Sequence, residues 1–462
     1  MNEQQMRSLM AGSRWKRGER IGYIALGILS TMPIVGIPVA GRDISVYTIL
    51  FALCLALLLV KTVLARRVRV GKHSKWLALW LCAGLIGCGC GWLFLKNSEP
   101  AFSEAAASGI PKVLLFLAFL ILFRSGEDGD EACMAIAKGF LIGCALNCAW
   151  AVIDALCFYV FGFSLNNQVF AGYIVRNNIR LKQISLNING MLRSGGFNYD
   201  PAHLGILAPI LAGYAMKRHK PWLFLLAIGG VLASASTTGL VTMAVVVLFT
   251  VDWKALKKYF NLYTLIAALA IFDIVGLLAI VRADLVYNIM DRTFLRFFDR
   301  ISTVYLQPGY HDIRVDYLLL LPQAMGNVLP FLGFGSGFGT ASLGYTRSES
   351  ILKVLELKAP FPYDMENTYI AYLLDTGIIG FALFITTLVM LWKGFICGHR
   401  KREADGFTAV MVPFILASLV TMLFYHYILF APQLLLFTAG LAWLDKDKPA
   451  EIEGADGPEV AA

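Results

Sequence analysis

Apolar runs separated by polar breaks organise the chain, at roughly 21–40, 45–63, 76–95, 105–123, 133–162, 202–216, 222–233, 238–251, 259–281, 366–392, 407–426 and 428–444. They are continuous rather than alternating, and most are long. That pattern predicts membrane helices and excludes the strands of a barrel. The fold expected is an all-α polytopic membrane protein with about 12 transmembrane helices. The run at 21–40 has no convincing cleavage site and is expected to be retained as a helix.

Basic clusters fall between these runs: Arg14/Lys16/Arg17/Arg20, Lys61–Lys75, "KRHK" at 217–220, "DWKALKK" at 252–258 and "KGFICGHRKR" at 393–402. If all are cytoplasmic, an even number of crossings separates each pair. The resulting plan has a cytoplasmic N-terminus (1–20), then helices one to nine (21–281) with an outer loop at 163–201. A large extracytoplasmic loop (282–365), helices ten to twelve (366–444) and a disordered cytoplasmic tail (445–462) follow.

Composition agrees: 58% of residues are hydrophobic and 15% charged, a balance no soluble domain of this length carries. The formal charge of +9 reflects the inner loops and does not imply nucleic acid. None of the nine cysteines lies in the two long outer loops, so no structural disulfide is expected. No His/Cys cluster has the spacing of a metal site.

One pair of runs is short. Residues 222–251 lie between two inner clusters, yet their length as helix is ~45 Å against the ~60 Å of a round trip. Their tip, "SASTTG" at 234–239, is therefore expected at membrane depth. It would line an outward cavity, or its hydroxyls would bond within their own helix turns.

The long outer loop should be folded and functional. Its segment 284–300 has helical spacing of polar residues, suited to the membrane surface or to packing on the bundle. The first outer loop carries Arg176, Arg180, Lys182 and Arg193 against one acid, Asp200. Guanidinium forks suit phosphate oxygens, so a basic pocket there fits an anionic lipid-linked substrate. In "LRSGGFNYDPAHLG" (192–205), Asp200 before Pro201 is expected to cap the next helix, whereas Arg193 has no such local role. Further on, Arg314 opens an apolar helix. "GFGSGFG" (333–339) follows no strand and opens no clear helix, which excludes a dinucleotide fingerprint. Glu366 and Asn367 begin the next membrane run; the helix dipole alone can explain an acid there.

The order of these stretches resembles the O-antigen ligase/polymerase family. It runs from R-x-G-G-F-x-x-D-P through a Ser/Thr turn to an Arg before an apolar helix and then "GFGSGFG". It ends with Glu366-Asn367, nine residues, and Gly377-Ile378-Ile379-Gly380. The ordered motifs cover roughly 190–380.

The resemblance implies a C-type glycosyltransferase architecture, a GT-C enzyme without cofactor or metal in a bacterial plasma (inner) membrane. Both termini would be cytoplasmic and the active site would face outward. The donor and acceptor implied are undecaprenyl-diphosphate-linked glycans, for O-antigen, capsule or exopolysaccharide. Membrane lipids and a chain-length regulator protein are the other partners implied.

Carried onto this chain, Arg193 and Arg314 would hold the diphosphate. Glu366, standing where the ligases have His, would be the base, and an acid there looks more like a polymerase. Asn367, Arg176, Arg180, Tyr199, His311 and Tyr369 are expected at the substrate. His311 and His203 are alternative bases. Tyr363, Tyr369 and Tyr372 could stack on sugars or anchor at the interface. His426 reads as interfacial, and Asp154, Asp273 and Asp375 are intramembrane acids that could pair or relay protons.

A ligase passing finished glycan to a lipid or protein remains an alternative. A transporter is a second, but it should show internal repeats, and no half-to-half repeat is visible.

Overall fold

The computed structural model describes residues 3–39, 42–65, 71–95, 100–125, 129–176, 185–188, 191–198, 200–251, 321–322, 333–340, 367–398, 406–424 and 431–446. It is an all-α membrane protein. Five described segments are long and apolar enough to cross a membrane: Val46–Val63, Ser74–Leu93, Asp130–Phe161, Thr368–Cys397 and Gly406–Phe424. Shorter apolar helices cover Gly109–Phe123, Pro221–Ser234 and Thr237–Thr250. The expected run at 259–281 lies outside the described residues.

In chain order, α1 is Glu3–Ser30, and an antiparallel hairpin of β1 (Gly36–Val39) and β2 (Arg42–Ser45) follows. Next come α2 (Val46–Ala65), α3 (Ser74–Leu95), α4 (Pro100–Ser125) and α5 (Gly129–Phe161). Short α6 (Leu165–Val169), α7 (Ala171–Arg176) and the hairpin β3 (Leu186–Ile188) and β4 (Met191–Arg193) lie in the segment between α5 and the next long helix. Then α8 (Pro201–Lys217), α9 (Pro221–Ser234), α10 (Thr237–Thr250), α11 (Thr368–Leu391), α12 (Gly406–Phe424) and α13 (Ala431–Lys446) complete the described helices. A π-helical turn, Trp392–Cys397, extends α11.

The helix expected over 21–40 is corrected. It begins earlier, at Glu3, and stops at Ser30. Pro33 offers no N–H and disfavours helix at Met32, and Gly36 and Pro38 follow. The apolar run therefore continues as a turn and a strand.

Small residues set the packing. α1 lies against α5 across Gly139 and Gly143, where any Cβ would collide with Ile24 or Thr31. α8 packs against both α9 and α10, which touch little except at their junction. Gly205 meets Gly239 and Gly213 meets Val246, so α8 and α10 run parallel. α12 runs antiparallel to α8, with Pro413 on Gly213 and Gly406 beside Arg218.

One end of the bundle gathers basic residues. Lys61 pairs with Glu19 across α1 and α2. Met134 and Arg218 both approach Gly406. Asp445, near the end of α13, caps the start of α3: it accepts from His73 N (2.6 Å), Ser74 N (3.1 Å) and Ser74 Oγ (2.6 Å), with His73 Nδ1 at 3.1 Å. The opposite end carries the starts of α8, α11 and α13 and the end of α12.

Helix length decides what lies at depth. α5 has 33 residues, whereas α9 and α10 have 14 each. Fourteen residues rise ~21 Å, short of ~30 Å of hydrocarbon. The α9–α10 junction packs on Gly205 of α8 through Ser236 and Gly239.

Candidate functional site

α5 supplies the frame of the first candidate region. Asn147, Trp150 and Asp154 fall three and four residues apart and so share one face. Asp154 is fully buried and accepts from Ser164 Oγ (2.9 Å), Asn166 N (3.0 Å) and Ser185 Oγ (2.7 Å). Trp150 Nε1 donates to Asn166 Oδ1 (3.2 Å), and its ring stacks on Phe197 with centroids 5.0 Å apart. Asn166 Nδ2 donates in turn to Gly196 O (2.9 Å) and Ser185 Oγ (3.1 Å).

Two turns lower, Asn147 is also fully buried. Its Nδ2 donates to Thr31 O (3.0 Å) and Gly143 O (3.0 Å), and its Oδ1 accepts from Phe197 N (2.9 Å) and Asn198 Nδ2 (2.9 Å). A lone amide in an apolar helix thus ties the end of α1 to the "SGGFN" loop. Asp154 and Asn147 hold 185–198 at both of its ends. Unpaired buried polar groups would be costly, and these bonds tie the described parts of an irregular loop to α5 and α6.

Arg193 closes β4 and is half-buried. Its Nε lies 3.5 Å from Ser234 O, at the end of α9. The next residue, Ser194, donates its N–H to Ala233 O (2.9 Å). The loop is therefore registered on the α9–α10 junction, where Ala235 turns through left-handed backbone (φ 44). Ser236 Oγ caps α10 by accepting from Gly239 N (3.2 Å). The junction hydroxyls bond locally: Ser234 Oγ donates to Val231 O, and Thr242 Oγ1 to Thr238 O. Of the two readings of "SASTTG", the local one describes its two serine hydroxyls. Asp200 caps α8 as expected, accepting from Ala202 N (2.8 Å).

The second region is the glycine-rich segment. The segment is seated against α3 at Gly84, Gly87 and Cys88 and against α11. Gly87 lies ~20 Å along α3 from Ser74, so this backbone packs well inside the length of the helix. α11 kinks at Gly377 (φ 65), which frees the carbonyls of Leu374 and Asp375. Ser336 N (3.1 Å) and Gly337 N (2.8 Å) donate to them. The buried Asp375 carboxylate accepts from Gly339 N (3.0 Å) and Thr340 N (3.1 Å). Glycine is needed here because Gly337 has φ 102 and any Cβ would sit 2.6 Å from Cys88 Cα.

At the start of α11, Asn367 Oδ1 caps the helix by accepting from Ile370 N (3.1 Å), and Nδ2 donates to Leu423 O (3.1 Å) on α12. Tyr369 OH donates to Leu419 O (3.2 Å). A sugar hydroxyl would have to compete for groups already bonded. Tyr372 departs from its expected role at the interface or on a sugar. It is buried among Trp80, Phe338 and Phe384, with centroids 4.9–6.2 Å away, because the turn it occupies faces α3.

Arg193 and Asn367 stand at the same end of the bundle, since α8 and α12 are antiparallel neighbours. Of the other expected site residues, Arg176 ends α7, and its side chain is outside the described set. Glu366, Arg314, Arg180, Tyr199 and His311 lie outside the described residues, as do Asp273, Tyr363 and His426. His203 is buried in the first turn of α8. Asp154 and Asp375, candidates for pairing or relay, are hydrogen-bonded anchors of loop backbone. Sequence reasoning passed over Asn147, Trp150, Asn166 and Ser185. The recurrence of polar and indole groups at 147, 150 and 154 on an apolar helix was the available signal. Among the described residues no group of three His, Cys, Asp or Glu side chains could hold a metal ion.

No family model matches the chain, and no curated protein matches it.

Proposed function

We propose that the chain is a polymerase of undecaprenyl-diphosphate-linked oligosaccharide repeat units, acting on the outer face of a bacterial inner membrane. The motif order resembling O-antigen polymerases and ligases suggests it. One structural observation carries it furthest: a half-buried arginine, Arg193, stands on a loop tied by hydrogen bonds to α5 and α6, at the end of the bundle opposite the basic clusters. By the positive-inside tendency the basic end is cytoplasmic, so Arg193 faces outward.

In this reading the donor is the growing glycan on its lipid diphosphate, and the acceptor is a hydroxyl of a new lipid-linked repeat. The acceptor oxygen attacks the donor C1 from the face opposite the diphosphate. A C–O bond forms there, and the bond from C1 to the diphosphate oxygen breaks. The electron pair leaves with the diphosphate, whose charge Arg193 and Arg314 stabilise. The hydroxyl proton passes to the Glu366 carboxylate. Displacement in line inverts the anomeric centre. The cap at Asn367 fixes the helix start that follows Glu366.

The test is a surface-polysaccharide gel from the native host, comparing wild type with deletion, Glu366→Gln and Arg193→Ala. Loss of the ladder, with single repeats still on their acceptor, is expected for all three. Full-length polymer stranded on the lipid carrier would make the protein a ligase. A normal ladder from both point variants at normal protein levels would overturn the site assignment.

A further inference from the structure

The stripe Asn147, Trp150 and Asp154 has no part in the chemistry just described, yet it contains the most heavily bonded polar side chains among the described residues of α5. An intramembrane acid is a functional candidate by default. Here the bonding partners decide what kind of function it has. The three hydrogen bonds that Asp154 accepts all come from the segment after α5: Ser164 and Asn166 at its beginning, and Ser185 just before β3. Asn147 holds the other side, at Phe197 and Asn198. Asn166 joins the two halves by reaching both Ser185 and Gly196. Arg193 lies between these tethers, and its neighbour Ser194 is fixed on Ala233.

We propose that Asp154 and Asn147 are positioning residues that set the Arg193 guanidinium for the substrate diphosphate, acting through the 185–198 backbone and touching no substrate themselves. This rests on the reading of Arg193 as a diphosphate ligand. An arginine delivers a fork of donors whose value depends on direction. Its own long stem does not fix that direction, so the backbone from which it departs must. Side chains of α5, with Asn166, hold that backbone from both sides. Asp154 is suited to this because a carboxylate accepts from two hydroxyls and an N–H at once.

The test measures binding of undecaprenyl diphosphate to the purified full chain in lipid nanodiscs. Each variant is made in two backgrounds, with Arg193 intact and with Arg193→Ala. Arg193→Ala alone is expected to weaken binding roughly 10–100-fold, the value of charge-assisted hydrogen bonds. Asp154→Ala, Asn147→Ala and the milder Ser185→Ala are each expected to weaken it about 3–10-fold when Arg193 is present. When it is absent they should change binding by less than about 2-fold, since groups acting through one another are non-additive. Asp154→Asn should restore most of the affinity, because Ser185 can reverse its hydroxyl and accept.

Equal losses in both backgrounds would show a merely structural role and overturn the proposal while leaving Arg193 as a ligand. Unchanged affinity in all three positioning variants would do the same. If Asp154→Ala and Asn147→Ala do not fold, Ser185→Ala decides. If Arg193→Ala binds as wild type does, the reading of Arg193 fails, and the proposal fails with it.

Discussion

Two stretches of irregular backbone pack against buried faces of the helix bundle, and each is bonded to a helix in a different way. The loop 185–198 is held by side chains of an unbroken helix, α5, through Asn147, Trp150 and Asp154. The glycine-rich segment 333–340 is held largely by the backbone of a broken helix, α11, whose kink at Gly377 offers two carbonyls. Hydroxyls and amides dominate the first, and such groups can exchange donor and acceptor roles. N–H groups dominate the second, and they cannot. The first arrangement should therefore tolerate substitution, and the second should not. Both nevertheless use one buried acid as an acceptor, Asp154 for two hydroxyls and the Asn166 N–H and Asp375 for the N–H groups of Gly339 and Thr340, which gives two aspartates in apolar helices a role without proton transfer.

The sharpest attempt to break this comparison is Gly337→Ala. Left-handed backbone and contact with Cys88 Cα combine strain of ~1–3 kcal/mol with overpacking of ~1–3 kcal/mol. A large fall in thermal midpoint is expected, and a midpoint near wild type would show that the segment can move aside. Next, the two acids should differ. Asp375→Asn turns an amide N–H toward a backbone N–H and leaves a buried donor unmet, at ~1–3 kcal/mol. Asp154→Asn should cost about 1 kcal/mol or less, because its Ser185 partner can accept. Equal denaturation shifts for the two variants would remove the distinction.

Smaller effects follow at the caps. Asn367→Ala loses both the α11 cap and the tie to Leu423, so it should exceed Asp200→Ala, which loses one cap worth ~0.5–2 kcal/mol. Smallest is Ser236→Ala, where a single 3.2 Å cap is lost, and a few tenths to ~1 kcal/mol is expected. Chemical denaturation in one detergent, with all variants side by side, orders these pairs.

Much of the fold is legible in the sequence because hydropathy sees burial in lipid. The boundaries of α5, α8, α9 and α10 fall within a few residues of the apolar runs. The Asp200-Pro201 start of α8 is legible because capping is local. Hydropathy does not see backbone, so the run at 21–40 hid the break that Pro33, Gly36 and Pro38 impose. It also does not see remote partners. Asp375 lies 36 residues from Gly339 and 35 from Thr340, and nothing near it in sequence reveals the bonds. The same distance concealed the packing of "GFGSGFG", whose neighbours include Gly84, Gly87 and Cys88 on α3. Of the site, Arg193 was singled out from its charge and its place in the loop. Asn147 was not, because one asparagine in an apolar helix carries no signal until its partners at Thr31 and Phe197 are brought to it.

The cap of α3 by Asp445 has a consequence in time. Asp445 follows His73 and Ser74 by 372 and 371 residues. At a synthesis rate of ~5–20 residues per second, α3 waits about 20–70 s for the carboxylate that completes its start. Its contacts with 333–340 and α11 are nearly as late. α3 thus enters the bilayer as a provisional helix, with one side facing lipid or an insertion chaperone, and acquires its final neighbours only as the last third of the chain arrives. Ribosome stalling before residue 445 should leave the first helices inserted and the start of α3 open to proteolysis.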